Sequence, residues 1–165
     1  MKRLLSFLST WLPVVIWLCI IATESTEGFS AAHTRGMLVH ALDWLGYHLN
    51  DLQLDHFNHV LRKCGHFIGY ATLSMLFWRA WQRSLRARFR ENLSALRWRC
   101  TFLALLGTLI TASLDEWHQS FIPSRTSTPV DVALDMTGAI IAHLILFLVL
   151  WYTRRSRGGT PEAYA

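Results

Sequence analysis

Four long apolar runs, at about 4–22, 61–81, 100–117 and 130–152, are separated by segments that hold most of the charged residues. A helix needs about 20 predominantly apolar residues to cross a bilayer core, and each run approaches that length. The pattern predicts an all-α integral membrane protein, a four-helix transmembrane bundle occupying residues 1–152. Pro13 bends the first helix, which bilayer helices tolerate. Lys2 and Arg3 before the first run also suit a cleaved signal peptide. That reading fits less well, because signal-peptide apolar cores are usually about 7–15 residues and no small-x-small cleavage site follows.

Residues 23–60 differ from the runs in being polar and His-rich. Within them Met37, Leu38, Ala41, Leu42, Leu45 and Leu49 recur at three- and four-residue spacing, with Trp44 and Tyr47 nearby. This predicts a short amphipathic helix on the membrane surface, in the outer loop between spans one and two. Trp98, Trp117, Trp151 and Tyr152 sit near span ends, as an aromatic belt does. Residues 153–165 form a basic tail, with 158–165 expected to be disordered.

Charge sets the orientation. Lys2 and Arg3, the seven arginines Arg79, Arg83, Arg86, Arg88, Arg90, Arg97 and Arg99, and then Arg154, Arg155 and Arg157 all fall on one side of a four-span protein. The other side receives only Arg35, Arg62, Lys63 and Arg125, together with nine of the eleven carboxylates. Positively charged loops stay cytoplasmic. Both termini are therefore expected in the cytoplasm, with the protein multi-pass in a bacterial inner membrane. The net charge of +5 does not argue for nucleic acid, because the basic residues flank apolar runs. The arginine run between spans two and three reads as an anchor for anionic lipid. Cys19, Cys64 and Cys100 are odd in number and have no metal-ligand spacing.

This topology leaves three polar helix ends on the outer side. Lys63, His66 and Tyr70 share one face of span two, Glu116 and Gln119 share a face of span three, and Asp131, Asp135 and Gly138 share a face of span four. Ionisable groups near hydrocarbon face the bundle interior or a wet cavity, paired with one another. The simplest arrangement is an outward-opening polar pocket. His66 and Glu116 are candidates for an acid/base pair; Lys63, Tyr70, Asp115, Gln119, Arg125, Asp131 and Asp135 are candidate ligand-binding residues. Plainer roles compete with these. Thr128-Pro129-Val130-Asp131 reads equally well as a helix start. Arg62 reads as a snorkelling side chain. Arg125 could close its loop onto Glu116 or Asp131, and His66 could be an interior hydrogen-bonded histidine. His33, His40, His48, His56, His59 and His118 are scattered through the outer segments, His143 is a lone interior histidine, and no His-x3-His pair supports a metal site. Neither a metal nor any other cofactor is implied.

The run Arg62-Lys63-x-x-His66-Phe67-x-x-Tyr70, then Asp115-Glu116-x-His118-Gln119-x-Phe121-x-Pro123-x-Arg125, then Asp131-x-x-x-Asp135-x-x-Gly138, resembles the VanZ-like family over residues 4–152. The family is named after a protein associated with teicoplanin resistance. The resemblance implies an integral membrane protein linked to the cell envelope and glycopeptide response, without supplying a reaction. Many members carry a Glu where this chain has Gly69, and a Gly where it has Ser124. The first departure puts in doubt any mechanism that needs a span-two carboxylate.

Three functions follow. The pocket could act on an anionic or polyprenyl-linked envelope lipid, with Lys63 and Arg125 on its phosphate. It could bind such a lipid, or a membrane partner or second copy, without catalysis. Or the polar residues could simply lock helix ends, through Glu116–Arg125 and Lys63–Asp131 pairs. The sequence has no nucleophile motif, metal signature or phosphate loop, so catalysis and binding both stay open. Stabilisation alone is a weak reason for so many polar groups, since intramembrane polar pairs average about 0.6 kcal/mol.

Overall fold

The computed structural model describes residues 2–123, 125 and 127–157, and the side chains of 5–123, 125 and 127–156 among them. The described residues form five α-helices and no strand: α1 (Lys2–Glu24), α2 (Ala31–Trp44), α3 (Asp51–Leu85), α4 (Leu93–Gln119) and α5 (Pro129–Arg157), with a 3₁₀ turn at Glu27–Phe29 before α2. Three stretches are long and apolar enough to cross a membrane: Leu5–Glu24, Leu93–Gln119 and Pro129–Ser156. α3 is not among them, although it is the longest helix at 35 residues. Asp51, Asp55, Arg62, Lys63, Arg79 and Arg83 all lie within it and dilute its apolar stretch.

Side-chain pairings give the helix directions. Trp11 meets Trp81 edge-on with ring centroids 5.0 Å apart, and the Trp17 indole donates to the Gly69 carbonyl at 2.9 Å, so α1 and α3 run antiparallel. Tyr70 reaches Asp115 and Phe77 lies against Gly107, so α3 and α4 are antiparallel too. Lys63 pairs with Asp131, and Phe67 lies against Gly138, which makes α5 parallel to α3. The result is an up-down-up-down bundle in which α3 packs on α1, α4 and α5. The start of α1, the α3–α4 turn and the end of α5 share one end of the bundle. The α1–α3 connection and the α4–α5 loop share the other.

At three helix boundaries that differ from expectation, the starts of α3 and α4 and the end of α2, capping explains the difference. α3 begins at Asp51, ten residues before its apolar run, because Asn50 accepts from the Gln53 amide at 2.9 Å while its own amide donates to Gln53 Oε1 at 3.2 Å. α4 begins at Leu93, where Asn92 accepts from the Ala95 amide at 2.8 Å, so Arg97 and Arg99 lie on its first turns. α2 ends at Trp44, short of the Leu45 and Leu49 expected on it. Gly46, at φ 77°, donates to the Asp43 carbonyl, and Tyr47 donates to that of Leu42. This Schellman turn needs a left-handed residue that glycine supplies. α5 in turn continues through 153–157, helical where a tail was expected. Residues 158–165 lie outside the described residues.

The bundle is inside out relative to a soluble domain. Phe7, Leu12, Val15 and Ile16 on α1, and Leu144, Ile145, Leu148 and Val149 on α5, are exposed. Thr108, Glu116, Gln119, Asp135 and His143 are buried. The buried face of α4 advances by fours through Leu96, Cys100, Ala104, Thr108, Ala112 and Glu116. This ridge of mostly small residues lets neighbouring backbones approach closely, as membrane helix interfaces do.

The tightest approach is at Gly138. A Cβ placed there would collide with the Phe67 carbonyl oxygen of α3, whereas one at Gly69 meets nothing within 4 Å. Gly138→Ala is therefore expected to lower stability by about 1–3 kcal/mol through overpacking. Gly69→Ala, in the same bundle, should be neutral or slightly stabilising. Thermal unfolding of the purified variants in detergent checks the contrast.

Candidate functional site

Close contact of α3 with α5 and α4 brings the three polar helix ends together. Lys63 forms an ion pair with Asp131 across α3 and α5. Asp131 also accepts from the Thr128 hydroxyl at 3.0 Å. Thr128 thus reads Asp131 through its side chain, while its carbonyl accepts from the Asp131 amide at 2.9 Å. Asp131 serves the helix start and the ion pair at once.

One turn deeper on both helices, His66 Nδ1 faces Asp135 Oδ1 at 3.6 Å. Asp135 is only 1% exposed, and neither of its carboxylate oxygens has a hydrogen-bond partner. A buried carboxylate in that state is costly, and the imidazole in front of it is the group placed to relieve the cost. His66 also stacks on Tyr70, with ring centroids 6.2 Å apart.

Tyr70 is itself buried and donates to Asp115 Oδ2 at 2.8 Å, and the Gln119 amide donates to the same oxygen at 3.1 Å. Glu116, buried on the α4 ridge, accepts from the Thr128 amide at 2.9 Å, and its backbone carbonyl accepts from the Ser127 hydroxyl at 2.7 Å. Glu116 therefore holds the loop that leads into α5. The Glu116–Arg125 pair is not formed, and neither is Arg125–Asp131. Arg125 instead donates to the carbonyls of Glu24 at 2.5 Å and Thr26 at 3.0 Å. The last carbonyls of a helix lack internal partners and carry the negative end of its dipole. The end of α1 is thus the better partner for a guanidinium. Burial lowers the Arg125 pKa, opposed by the charges of Asp115, Glu116 and Glu24 nearby.

His66 stands at the junction of three clefts. One of about 70 Å³ lies between α3, α4 and α5, against Lys63, Glu116, Gln119 and Asp131. A second of about 20 Å³ lies behind it beside Tyr70 and Asp115. A third of about 190 Å³ opens outward between Glu24, Phe29, Leu61, Arg62 and Arg125. The mouth therefore carries two guanidiniums and one carboxylate between apolar walls, and the floor is carboxylate-rich with His66 between them. Such a site can hold an anionic group at the mouth by two guanidiniums and place a titratable imidazole beneath it. Among the described residues, no group of three or more His, Cys, Asp or Glu side chains is arranged to hold a metal ion.

The family model described as VanZ/LLP1 matches residues 10–151. The chain belongs to the VanZ/LLP1 family. No curated protein matches the chain, and no solved structure does. The match contains all three polar motifs, which in this VanZ/LLP1 chain converge on one end of the bundle. Lys63, His66, Glu116, Gln119 and Asp131 line one cleft, and Tyr70 and Asp115 line the space behind it. Asp135 lies behind His66, and Arg125 stands at the mouth. His66 and Glu116 share a cleft without a hydrogen bond or ion pair between them; the carboxylate facing His66 is that of Asp135.

Other contributors were given no site role from the sequence, Arg62 being read only as a snorkelling side chain. Arg62 lines both the inner cleft and the mouth and donates to the Phe29 carbonyl at 2.9 Å. Ser25 bonds the His118 ring at 3.1 Å, and Trp17 bonds Gly69. The place of Arg62 in the run with Lys63 and His66 was its signal; the others depend on how α1 is seated. Gly69 leaves open the space that a larger side chain would occupy, and its carbonyl receives Trp17. Ser124 lies outside the described residues.

The Lys63–Asp131 pair is half-buried, with side chains 36% and 17% exposed. A double-mutant cycle with Lys63→Met and Asp131→Asn is expected to give a coupling energy of about 1 kcal/mol. Each single variant should be less stable than the double variant would suggest, because the remaining charge is left unpaired. Unfolding of the four proteins in detergent measures this.

Proposed function

We propose that this VanZ/LLP1 protein is a four-span protein of the bacterial inner membrane whose outward-facing polar pocket binds an anionic lipid or lipid-linked envelope precursor. By that binding it alters susceptibility to glycopeptides of the teicoplanin type. α3 is the fourth span, its charged ends reaching water on either side. At about 50 Å it is longer than a hydrocarbon core of about 30 Å, and its central stretch has no Asp, Glu, Lys or Arg from 64 to 78. Both termini are cytoplasmic, since the end of the bundle holding the α3–α4 turn carries the arginines.

One observation carries the reading: His66 sits where a mouth with Arg62 and Arg125 meets an acidic interior whose deepest member, Asp135, lacks a hydrogen-bond partner. The guanidiniums take the phosphate, and Phe29 and Leu61 take the adjoining hydrocarbon. Lys63, already engaged by Asp131, sets the charge of the inner cleft. Glu116 and His66, the acid/base candidates, face that same cleft. The reading asks of them only that they complete the site around the head group.

The competing reading is a structural lock that recruits a membrane partner. Its support is that Tyr70, Asp115, Gln119, Glu116 and Lys63 all spend hydrogen bonds inside the protein.

Reconstituted protein is expected to retain a polyprenyl phosphate or lipid-linked peptidoglycan precursor from a mixed-lipid liposome, read by mass spectrometry. Arg62→Gln/Arg125→Gln should lower retention about tenfold or more, the worth of two charged contacts. His66→Gln should also weaken it while the protein still accumulates in the membrane. A product formed by wild type and lost in His66→Gln or Glu116→Gln would turn binding into catalysis. Normal lipid retention in all of these variants would favour the lock. For topology, single cysteines placed at Tyr47 and Arg90 in a cysteine-free background are expected to differ: an impermeant maleimide should label position 47 in intact spheroplasts, and position 90 only after lysis.

A further inference from the structure

A second feature that combines charge with apolar surface lies at the opposite end of the bundle from the polar cluster. A groove of about 680 Å³ runs from the α3–α4 turn along the start of α4. Leu85, Phe89, Trp98, Phe102 and Leu103 line it, and Arg88 and Arg99 complete its lining. Trp98 and Phe102 are 69% and 65% exposed. They are large aromatic side chains with nothing covering them on a helix apolar enough to span a bilayer. The groove is therefore graded. Its guanidiniums lie at the turn, and its apolar wall continues one turn down α4 towards the bundle centre.

Two packing details keep that gradient in place. The Arg99 guanidinium lies over the Phe89 ring at 4.9 Å from its centroid, a cation–π contact that holds the charge beside the apolar surface. The Trp98 ring lies 5.5 Å from that of Phe147 on α5, which fixes the aromatic wall to the bundle. Charge narrows the occupant further. Arg79, Arg83, Arg86, Arg88, Arg90, Arg97, Arg99, Arg154 and Arg155 gather at this end, where Glu91 is the one carboxylate among the described residues. An amphipathic protein segment would have to be strongly acidic to sit here. A lipid with a phosphate at the water boundary and a chain in hydrocarbon matches both ends of the groove, and basic pockets on the cytoplasmic side of helices take such head groups.

We propose that this groove binds one anionic glycerophospholipid of the leaflet on the α3–α4 side, with its phosphate held by Arg88 and Arg99 and an acyl chain lying over Phe102 and Leu103. This site is separate from the outer polar pocket and shares no residue with it. The inference rests on the helices spanning the bilayer and not on what the outer pocket binds. The bound lipid would cover the aromatic wall and anchor the α3–α4 hairpin at a fixed depth.

The test uses full-length protein in nanodiscs of phosphatidylethanolamine doped with phosphatidylglycerol, followed by lipid retention in native mass spectrometry. Wild type is expected to keep phosphatidylglycerol in preference to phosphatidylethanolamine. Arg88→Gln/Arg99→Gln should lower that retention about tenfold, and Arg154→Gln/Arg155→Gln, an equal charge change outside the groove, less than about twofold. A phosphatidylglycerol carrying a photoreactive acyl chain should crosslink within residues 98–103. Equal losses in the two double variants, equal retention of the two lipids, or crosslinks that avoid 98–103 would each overturn the proposal.

Discussion

The closeness of α3 to α5 at one residue governs the polar end of this protein. Gly138 carries no Cβ, so the two backbones meet at the Phe67 carbonyl. That contact sets the register in which Lys63 faces Asp131 and His66 faces Asp135. The register is a matter of sterics, and the electrostatics follow from it. Without the close approach, the Asp135 carboxylate would have no imidazole in front of it, and a buried carboxylate with neither partner nor water is among the costlier things a fold can contain.

From that contact the remaining ties follow outward. α3 reaches α4 through Tyr70 and Asp115, and α4 holds the loop through Glu116 and Thr128. The loop returns to α1 through Arg125, and α1 returns to α3 through Trp17 and Gly69. The four long helices are thus joined in a ring of polar contacts near one end, while the rest of the bundle is held by small buried residues such as Ala80, Ala104, Thr108 and Ala112. Individually these bonds are modest in energy. Their common effect is geometric: they hold a histidine, two guanidiniums and a buried carboxylate around adjoining clefts.

The two ends of the bundle have opposite chemistry. At the polar end, cations and carboxylates are matched inside clefts between helices. At the other end, arginines dominate an open surface with aromatic side chains beside them.

Much of this was legible without coordinates. Apolar runs and their flanking charges are local properties, so the chain itself determined the helices, their order and the residues that end up near one another at the polar end. The ridge from Leu96 to Glu116 and the Asn50–Gln53 cap were also written in local spacing, but the limits of the apolar runs drew attention away from them. What only the tertiary structure decided was the choice of partner. Arg125 goes to the carbonyls of Glu24, which ends α1, and of Thr26 just beyond it, His66 to Asp135, and Glu116 to the Thr128 amide. Each choice depends on how one helix is rotated and seated against another. Several oppositely charged groups lie within a few ångströms of each candidate, so helical spacing alone assigns a residue to a face but leaves its partner to the packing of the helices around it.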